Sequence, residues 1–442
     1  MILYSALFFG FFGLLANLFL TGFRASKSEI LLSFLLPSLW VALEFARGSL
    51  FTGFPWAILG YTQYRNPAVI QIADTTGPYG VSFLIVMVNF VLYSYFSRSF
   101  GLRAVRRKDS SALKFQAIIS VLILAAAVLY GYFRLGEDDI KTNIKLSLIQ
   151  GNIEQAQKWD PVYEDYILQR YNSLTQEAAK EKSELIVWPE TAVPGFLDEE
   201  GIDIWLKRLL KDINTPLLLG AVTYESREKE DYFFNSAVLF STNGDVKNRY
   251  DKLHLVPFGE YVPFEKCFPF IRNFINVEMG DFTAGEKFTL FDISKDGANF
   301  KYAALICFED IFPDLVRRFV LGGADSLINI TNDAWFKESS EQLQHAQASV
   351  FRAVENRASV LRAANTGFSC YISPKGIIED GIYSMDLEHM YIPGVKTFEL
   401  KVNGRTTFYT RYGDVFSYIC IFVVLICWIG LATFRLLKNS VF

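Results

Sequence analysis

Three stretches of this 442-residue sequence carry an apolar run that stops on a reactive side chain or leads into a loop bearing one. "ELIVWPETAVPG" ends on Glu190 after Pro189, "YDKLHLVPFGEYVPF" supplies Lys252 and Glu260, and "AALICFEDIFP" ends on Cys307. Proline has no N–H to give to a ladder of strand hydrogen bonds, so it marks the end of one. A carboxylate, an ammonium and a thiol together suffice for acyl transfer. A free thiol is largely protonated at neutral pH and reacts as the thiolate. A carboxylate whose pKa is raised by partial burial can take that proton. An ammonium beside both lowers the thiol pKa and holds a developing oxyanion. A helix starting at Cys307 would add the positive end of its dipole.

Singly, each residue has a plainer reading. A lone Cys after an apolar strand is usually core, Glu190 would be a surface or capping acid, and Lys252 a solvated lysine beside Asp251. Asp310 reads as a cap for the helix after Cys307, and His254 as a structural ring among Leu, Val and Pro. Their joint occurrence favours the catalytic reading. There is no CxxC or HExxH spacing and no Gly-rich phosphate loop, and three histidines (His254, His345, His389) argue against a His-rich metal site. We therefore expect no metal and no cofactor. Cys420 and Cys427 lie in the last apolar run, which leaves Cys267, Cys307 and Cys370. An odd count leaves at least one free thiol or an intermolecular bridge.

The elements that must position these residues lie in a mixed-charge stretch from about Thr142 to Arg405. Strand signals fall at Ile144–Gln150, Leu185–Trp188, Leu217–Val222, Ser236–Phe240, Ala303–Ile306, Ser326–Ile330 and Ser369–Ile372. They are β-branched and apolar runs bounded by turn residues. Helix-length segments fall at Val162–Lys182, Ile202–Asp212, Pro313–Leu321 and Glu341–Asn356. Alternation of this kind gives an α/β domain. Strands that follow one another directly between 217 and 240 make its sheet mixed.

The rest of the chain is of another kind. Half of the sequence is hydrophobic, with 41 Phe and 22 Tyr, and no charge occurs from Met1 to Phe23. Apolar runs near 1–23, 30–43, 75–97, 115–133 and 415–434 approach or reach the ~20 residues that cross a bilayer. The run at 48–64, interrupted by Gly53, Pro55 and Gly60, reads either as a distorted span or as an interfacial segment. Five or six spans result. Arg98, Arg103, Arg106, Arg107, Lys108 and Lys114 surround one short loop with a single acid, Asp109. Loops this basic stay in the cytoplasm. The next span then carries the chain outward, so the α/β domain is extracytoplasmic. The expected domains are an N-terminal transmembrane bundle over 1–135, a catalytic domain over 141–405 and a C-terminal transmembrane helix over 414–436.

The order Glu190, Lys252, Cys307 within these motifs resembles the carbon–nitrogen hydrolase (nitrilase) superfamily. "QGNIEQAQKWD", "LEFARGSLFTGFPW", "GPYGVSF", "NITNDAWF", "QHAQ" and "RAANTG" are similar to its membrane-embedded branch, the apolipoprotein N-acyltransferases. The resemblance runs from Trp40 to Gly376. It implies an α-helical membrane bundle plus an α-β-β-α sandwich, with Glu190 as general base, Lys252 as oxyanion stabiliser and Cys307 as nucleophile. It implies supporting roles for Trp159, Glu260 and Glu309, and places Phe308 where the branch often has Tyr. The membrane part is short for that branch. The implied reaction moves an acyl chain from a phospholipid, through a Cys thioester, to the α-amino group of an S-diacylglyceryl cysteine at a lipoprotein N-terminus. The expected partners are thus a phospholipid donor, a diacylglyceryl-lipoprotein acceptor and the membrane, with no nucleic acid. The implied location is multi-pass in a bacterial cytoplasmic (inner) membrane, catalytic domain to the periplasm.

The alternative reading is a membrane-anchored amidase or nitrilase-type hydrolase, with the same triad and water as acceptor. A hydrolase of small nitriles has no use for a bundle of spans, whereas two lipidated substrates arrive laterally. Aromatics near the triad, Phe258, Tyr261, Phe264, Phe268 and Phe270, would suit acyl chains as a lid over the site, or simply pack their loop.

Overall fold

The computed structural model describes residues 2–23, 29–100, 110–197, 199–227, 230–263, 265, 270, 281–383 and 390–440. The chain forms two compact units, Met1–Glu137 with Thr407–Phe442, and Asp138–Thr406.

In the first unit five helices among the described residues are long and apolar enough to cross a membrane. They are Ile2–Gly22, Glu29–Ser49, Pro78–Ser99, Ser110–Leu135 and Val415–Ser440. Leu3, Leu7, Phe9, Phe11, Leu122, Leu129, Phe422 and Ile429 are exposed on them. Apolar side chains outside, over helices hydrophobic all round, are what hydrocarbon selects. The stretch 48–64 holds no helix of spanning length. It turns at 50–53 and ends in the five-residue 3-10 helix Leu59–Gln63. Glu44 Oε1 accepts from Leu59 N at 2.7 Å, and Ser82 Oγ accepts from Gly60 N at 2.9 Å. These bonds supply acceptors that an irregular backbone in an apolar setting would otherwise lack.

The second unit holds twelve strands among the described residues. They are β1 (Ile140–Gln150), β2 (Leu185–Val187), β3 (Leu217–Arg227), β4 (Glu230–Phe240), β5 (Val246–Asp251), β6 (Phe291–Lys295), β7 (Ala298–Ile306), β8 (Ser326–Thr331), β9 (Ser359–Ala364), β10 (Ser369–Ile372), β11 (Ile378–Ile382) and β12 (Gly394–Val402). One sheet runs β12-β1-β2-β3-β4-β5 and the other β11-β10-β9-β8-β7-β6. Each has a parallel trio, β1-β2-β3 or β7-β8-β9, flanked by antiparallel strands. β1 packs on β9 and β4 on β7, so the sheets face each other.

Helices cover both outer faces. Glu200–Ile213 buries Ile202, Leu206, Leu209 and Leu210, one stripe at spacings of four, three and one, and stops at Asn214 in the left-handed conformation. That stripe meets β2 and β3 through Ile186, Leu217 and Leu219. Glu164–Ala179 presses Tyr171 on the fully buried Trp188, ring centroids 4.6 Å apart, while the indole Nε1 donates to Thr175 Oγ1 at 3.0 Å. Burying a ring of this size contributes about 3 kcal/mol. Pro313–Leu321 and Glu341–Asn356 belong with the second sheet. The architecture is an α-β-β-α sandwich, as expected.

Candidate active site

Glu190, Lys252 and Cys307 each lie just past the end of a strand. Glu190 follows β2 by way of Trp188 and Pro189, and the turn continues through Thr191 at φ 44°. This turn lies so close to β3 that a Cβ at Gly220 would sit 2.6 Å from the Glu190 Cα. Gly220 therefore sets how deep Glu190 sits. Lys252 follows β5, and its N–H donates to Asn235 O at 2.9 Å. A second close passage covers it, since Gly285 N donates to Lys252 O at 2.8 Å where a Cβ would strike the Asp251 carbonyl. Cys307 follows β7 with φ 52°. A non-glycine residue in the left-handed region is held there by its surroundings, and such strain gathers at functional sites.

The structure brings Glu190, Lys252 and Glu260 into one buried charge cluster. Lys252 Nζ lies 2.9 Å from Glu260 Oε1 and 3.7 Å from Glu190 Oε1. Asn235, in the middle of β4, donates from Nδ2 to Glu190 Oε1 at 2.8 Å and to Glu260 Oε1 at 2.9 Å. Glu260 Oε2 in turn accepts from Val256 N at 2.7 Å. Burial alone would lower the Lys252 pKa, but the Glu260 and Glu190 carboxylates reverse this and hold it above the ordinary lysine value. Lys252 is therefore a permanent cation.

Cys307 is half-buried. Burial and the Glu190 charge push its thiol well above the ordinary value, against Lys252 and a hydrogen bond from Thr331, which pull it down. The expected downward pull of Lys252 on the thiol is present but does not prevail. Desolvation and the carboxylate outweigh it. The helix-dipole expectation is corrected. Cys307 opens the five-residue 3-10 helix Cys307–Ile311, and the α-helix starts only at Pro313.

Glu309 ties the loops together. Its Oε1 accepts from Leu253 N at 2.7 Å, His254 N at 3.1 Å and Tyr250 Oη at 2.7 Å, and its Oε2 from Ile306 N at 2.8 Å. Burial pushes its pKa up to about 7 against the pull of these donors. Phe308 packs edge-on against Phe312, centroids 5.3 Å apart. His254 lies tilted on the same Phe312 at 3.8 Å. Trp159 is 42% exposed and lines a cavity of about 820 Å³ with Ile153, Ala156, Trp335 and Tyr391. Asp310 does not cap a helix. It is fully buried and accepts from Arg362 Nη1 at 2.8 Å, with His345 Nε2 also 2.8 Å away. Of the loop aromatics, Phe258 and Phe270 are exposed and Tyr261 is half-buried; Phe264 and Phe268, like Cys267, His389 and the basic residues at 103–108, lie outside the described residues.

Sequence reasoning missed three polar groups. Asn235 sits inside a strand, Thr331 ends β8, and Lys158 is buried with its Nζ donating to Glu190 O at 2.9 Å. Desolvation drives the Lys158 pKa down to about 7, against the Glu190 and Cys307 charges. The signal for Lys158 was its place one residue before Trp159; Asn235 and Thr331 had none beyond their strands.

The description Carbon-nitrogen hydrolase matches residues 145–382, and Apolipoprotein N-acyltransferase N-terminal domain matches residues 1–91. The chain is 42% identical over 395 residues to an apolipoprotein N-acyltransferase from Geobacter metallireducens, covering 89% of this chain and 72% of that protein. It is 32% identical over 418 residues to the one from Rickettsia prowazekii, covering 93% and 78%. Among solved structures it is similar to an amidase from Nesterenkonia sp., with 18% identity and a TM-score of 0.42 over 62% of this chain and 94% of that one.

Proposed function

Given that the chain belongs to the apolipoprotein N-acyltransferase family, a multi-pass acyltransferase branch of the nitrilase superfamily, we propose that Glu190, Lys252 and Cys307 carry its transfer in two steps. Glu190 takes the Cys307 proton, and the thiolate attacks the ester carbonyl of a phospholipid. Lys252 holds the oxyanion that forms. The carbon–oxygen bond then breaks, Glu190 returns the proton to the leaving lysophospholipid oxygen, and a thioester remains on Cys307. In the second step the α-amino group of an S-diacylglyceryl cysteine attacks the thioester. Glu190 accepts a proton from that amine, the carbon–sulfur bond breaks, and the proton passes to the departing sulfur.

The observation that carries this reading is the charge arrangement. Lys252 lies between two carboxylates at 2.9 and 3.7 Å and keeps its charge, while Glu190 keeps a lone pair for the proton. Glu260 holds the lysine, Glu309 holds the loops, and Trp159 borders a cavity of about 820 Å³ suited to a substrate. The donor is a phospholipid and the acceptor a lipoprotein. The 141–405 segment is the catalytic domain, on the periplasmic side of a bacterial inner membrane, with 1–135 and 414–436 as its membrane parts. The basic residues between Arg98 and Lys114 support that orientation.

Incubating the protein with phospholipid and weighing its peptides tests the assignment. An acyl adduct on Cys307 is expected, and Cys307→Ser should lose both adduct and turnover, because Glu190 is too weak a base for a hydroxyl. Substantial transfer by Cys307→Ser would refute it. Hydrolysis of the adduct in preference to its transfer to an amine would favour the amidase reading instead.

A further inference from the structure

Asn235 holds the carboxylate of Glu190, but the backbone of that residue has a holder of its own. Lys158 closes the four-residue helix Gln155–Lys158 and is 3% exposed. Its Nζ donates to the main-chain oxygen of Glu190 at 2.9 Å, the one hydrogen bond it makes among the described residues. That oxygen belongs to the peptide joining Glu190 to Thr191, and Thr191 stands at φ 44°. A threonine in the left-handed region is strained, and the conformation persists only where its surroundings fix it. Turning this peptide over would return Thr191 to the extended region and take the Glu190 oxygen away from Lys158.

The turn is bonded to β3 at both ends. Gly220 N donates to Pro189 O at 3.2 Å, and Ala192 N donates to Gly220 O at 2.8 Å. The peptide between those ends is the strained one, and Lys158 grips it. The lysine is itself anchored. Three residues earlier on its helix, Gln155 Oε1 accepts from Asn332 Nδ2 at 2.8 Å, and Asn332 Oδ1 accepts from Asn365 Nδ2 at 2.9 Å. Asn365 also clasps Ile153, donating to its O at 2.8 Å and accepting from its N at 3.2 Å. Asn332 follows β8 and Asn365 follows β9, so Lys158 reaches from the loops of the second sheet to a turn of the first. Burying an amine against a single acceptor is costly, and an aliphatic side chain would fill the same place without that cost. Its N–H donor is what an aliphatic chain lacks. Burial lowers its pKa to about 7, yet the amine and the ammonium both carry N–H groups, so the bond to Glu190 O does not depend on its protonation.

We propose that Lys158 is a positioning residue for the general base: by gripping the strained Glu190–Thr191 peptide it keeps the Glu190 carboxylate where Asn235 and Lys252 meet it. The proposal rests on Glu190 being the base of the reaction proposed above.

Steady-state transfer by the full-length protein in detergent, with a phospholipid donor and a diacylglyceryl-peptide acceptor, tests it. Lys158→Met keeps the length and removes the donor. Its kcat should fall about 10–100-fold, the scale set by an ångström of misplacement. KM for both substrates should stay unchanged, because the group acts on chemistry and not on binding. The deciding comparison uses Thr191→Gly. Glycine enters the left-handed region freely, so in that background the peptide no longer needs its grip and Lys158→Met should cost several-fold less. A merely structural lysine would cost the same factor in both backgrounds. Equal loss in the two backgrounds overturns the proposal, and so does wild-type kcat in Lys158→Met. Should Lys158→Met fail to fold, Lys158→Gln compared in the same two backgrounds reads the same difference. Wild-type turnover in Glu190→Gln would sink the catalytic reading itself, whereas turnover lost in Glu190→Gln and kept in Lys158→Met sinks this proposal alone.

Discussion

Glu190→Gln should make Cys307 more acidic while it stops turnover. The amide keeps the shape and can still accept from Asn235, but it removes the negative charge that helps hold the thiol pKa up. Coulomb's law at an effective dielectric of about 20 gives about 4.5 kcal/mol for unit charges as far apart as Lys252 Nζ and Glu190 Oε1, 3.7 Å. That corresponds to about three pKa units. It sets the scale for a charge facing Cys307, whose partial exposure screens the interaction. We expect a fall of about one to two units in Glu190→Gln and a comparable rise in Lys252→Met. The assay is the pH dependence of Cys307 alkylation in wild type and both variants. Turnover with phospholipid donor and a diacylglyceryl-peptide acceptor is measured in parallel. Both variants should lose turnover by a factor of 10² or more, yet their alkylation curves should move in opposite directions. A thiol that becomes less acidic in Glu190→Gln would mean that the Glu190 charge does not face the sulfur. The base assignment would then be wrong.

Three further outcomes follow from the same geometry. Asn235→Leu removes the one amide shared by Glu190 and Glu260, so turnover should fall at least tenfold and stability by about 1–3 kcal/mol in a denaturant titration. Glu309→Gln offers only one carbonyl oxygen to donors that now reach both carboxylate oxygens, so at least one buried N–H loses its acceptor; thermal unfolding should come several degrees lower, and unchanged unfolding would deny the clamp. Lys158 is depressed to about 7 from the ordinary 10.5, so the folded protein releases a proton that the unfolded chain still holds between those values. Stability should therefore rise with pH across that window, and the rise should be smaller in Lys158→Met when the two are compared by thermal unfolding.

What was legible in the sequence follows from which residues are apolar on both sides. β2, β7 and β8 are buried along most of their length and read as short apolar runs. β5, "VKNRYD", and β11, "IEDGI", lie at the outer edges of their sheets and are half polar, so no run marks them. β9 was missed for another reason: Arg362 sits in its middle, fully buried because Asp310 and Asp333 neutralise it. The triad stood out because each member interrupts an apolar pattern. Asn235 and Thr331 interrupt nothing, since a strand tolerates them without comment, and only three-dimensional neighbours give them a role. Asp310 was misread as a cap because its partners, His345 and Arg362, are 35 and 52 residues away in the chain.

The first sheet is closed by the pairing of β1 with β12, whose partners run from Ile140↔Val402 to Gln150↔Gly394. During synthesis β1 emerges long before its mate. At roughly 5–20 residues per second the ribosome needs on the order of 10–50 s to supply β12. Through that interval β1 offers an open hydrogen-bonding edge of the sort that recruits strands from other chains. Lys141 and Lys145 lie on this strand and are exposed even after closure. Charge of that kind discourages intermolecular pairing, so these two lysines give the nascent domain protection against aggregation that the finished fold no longer needs.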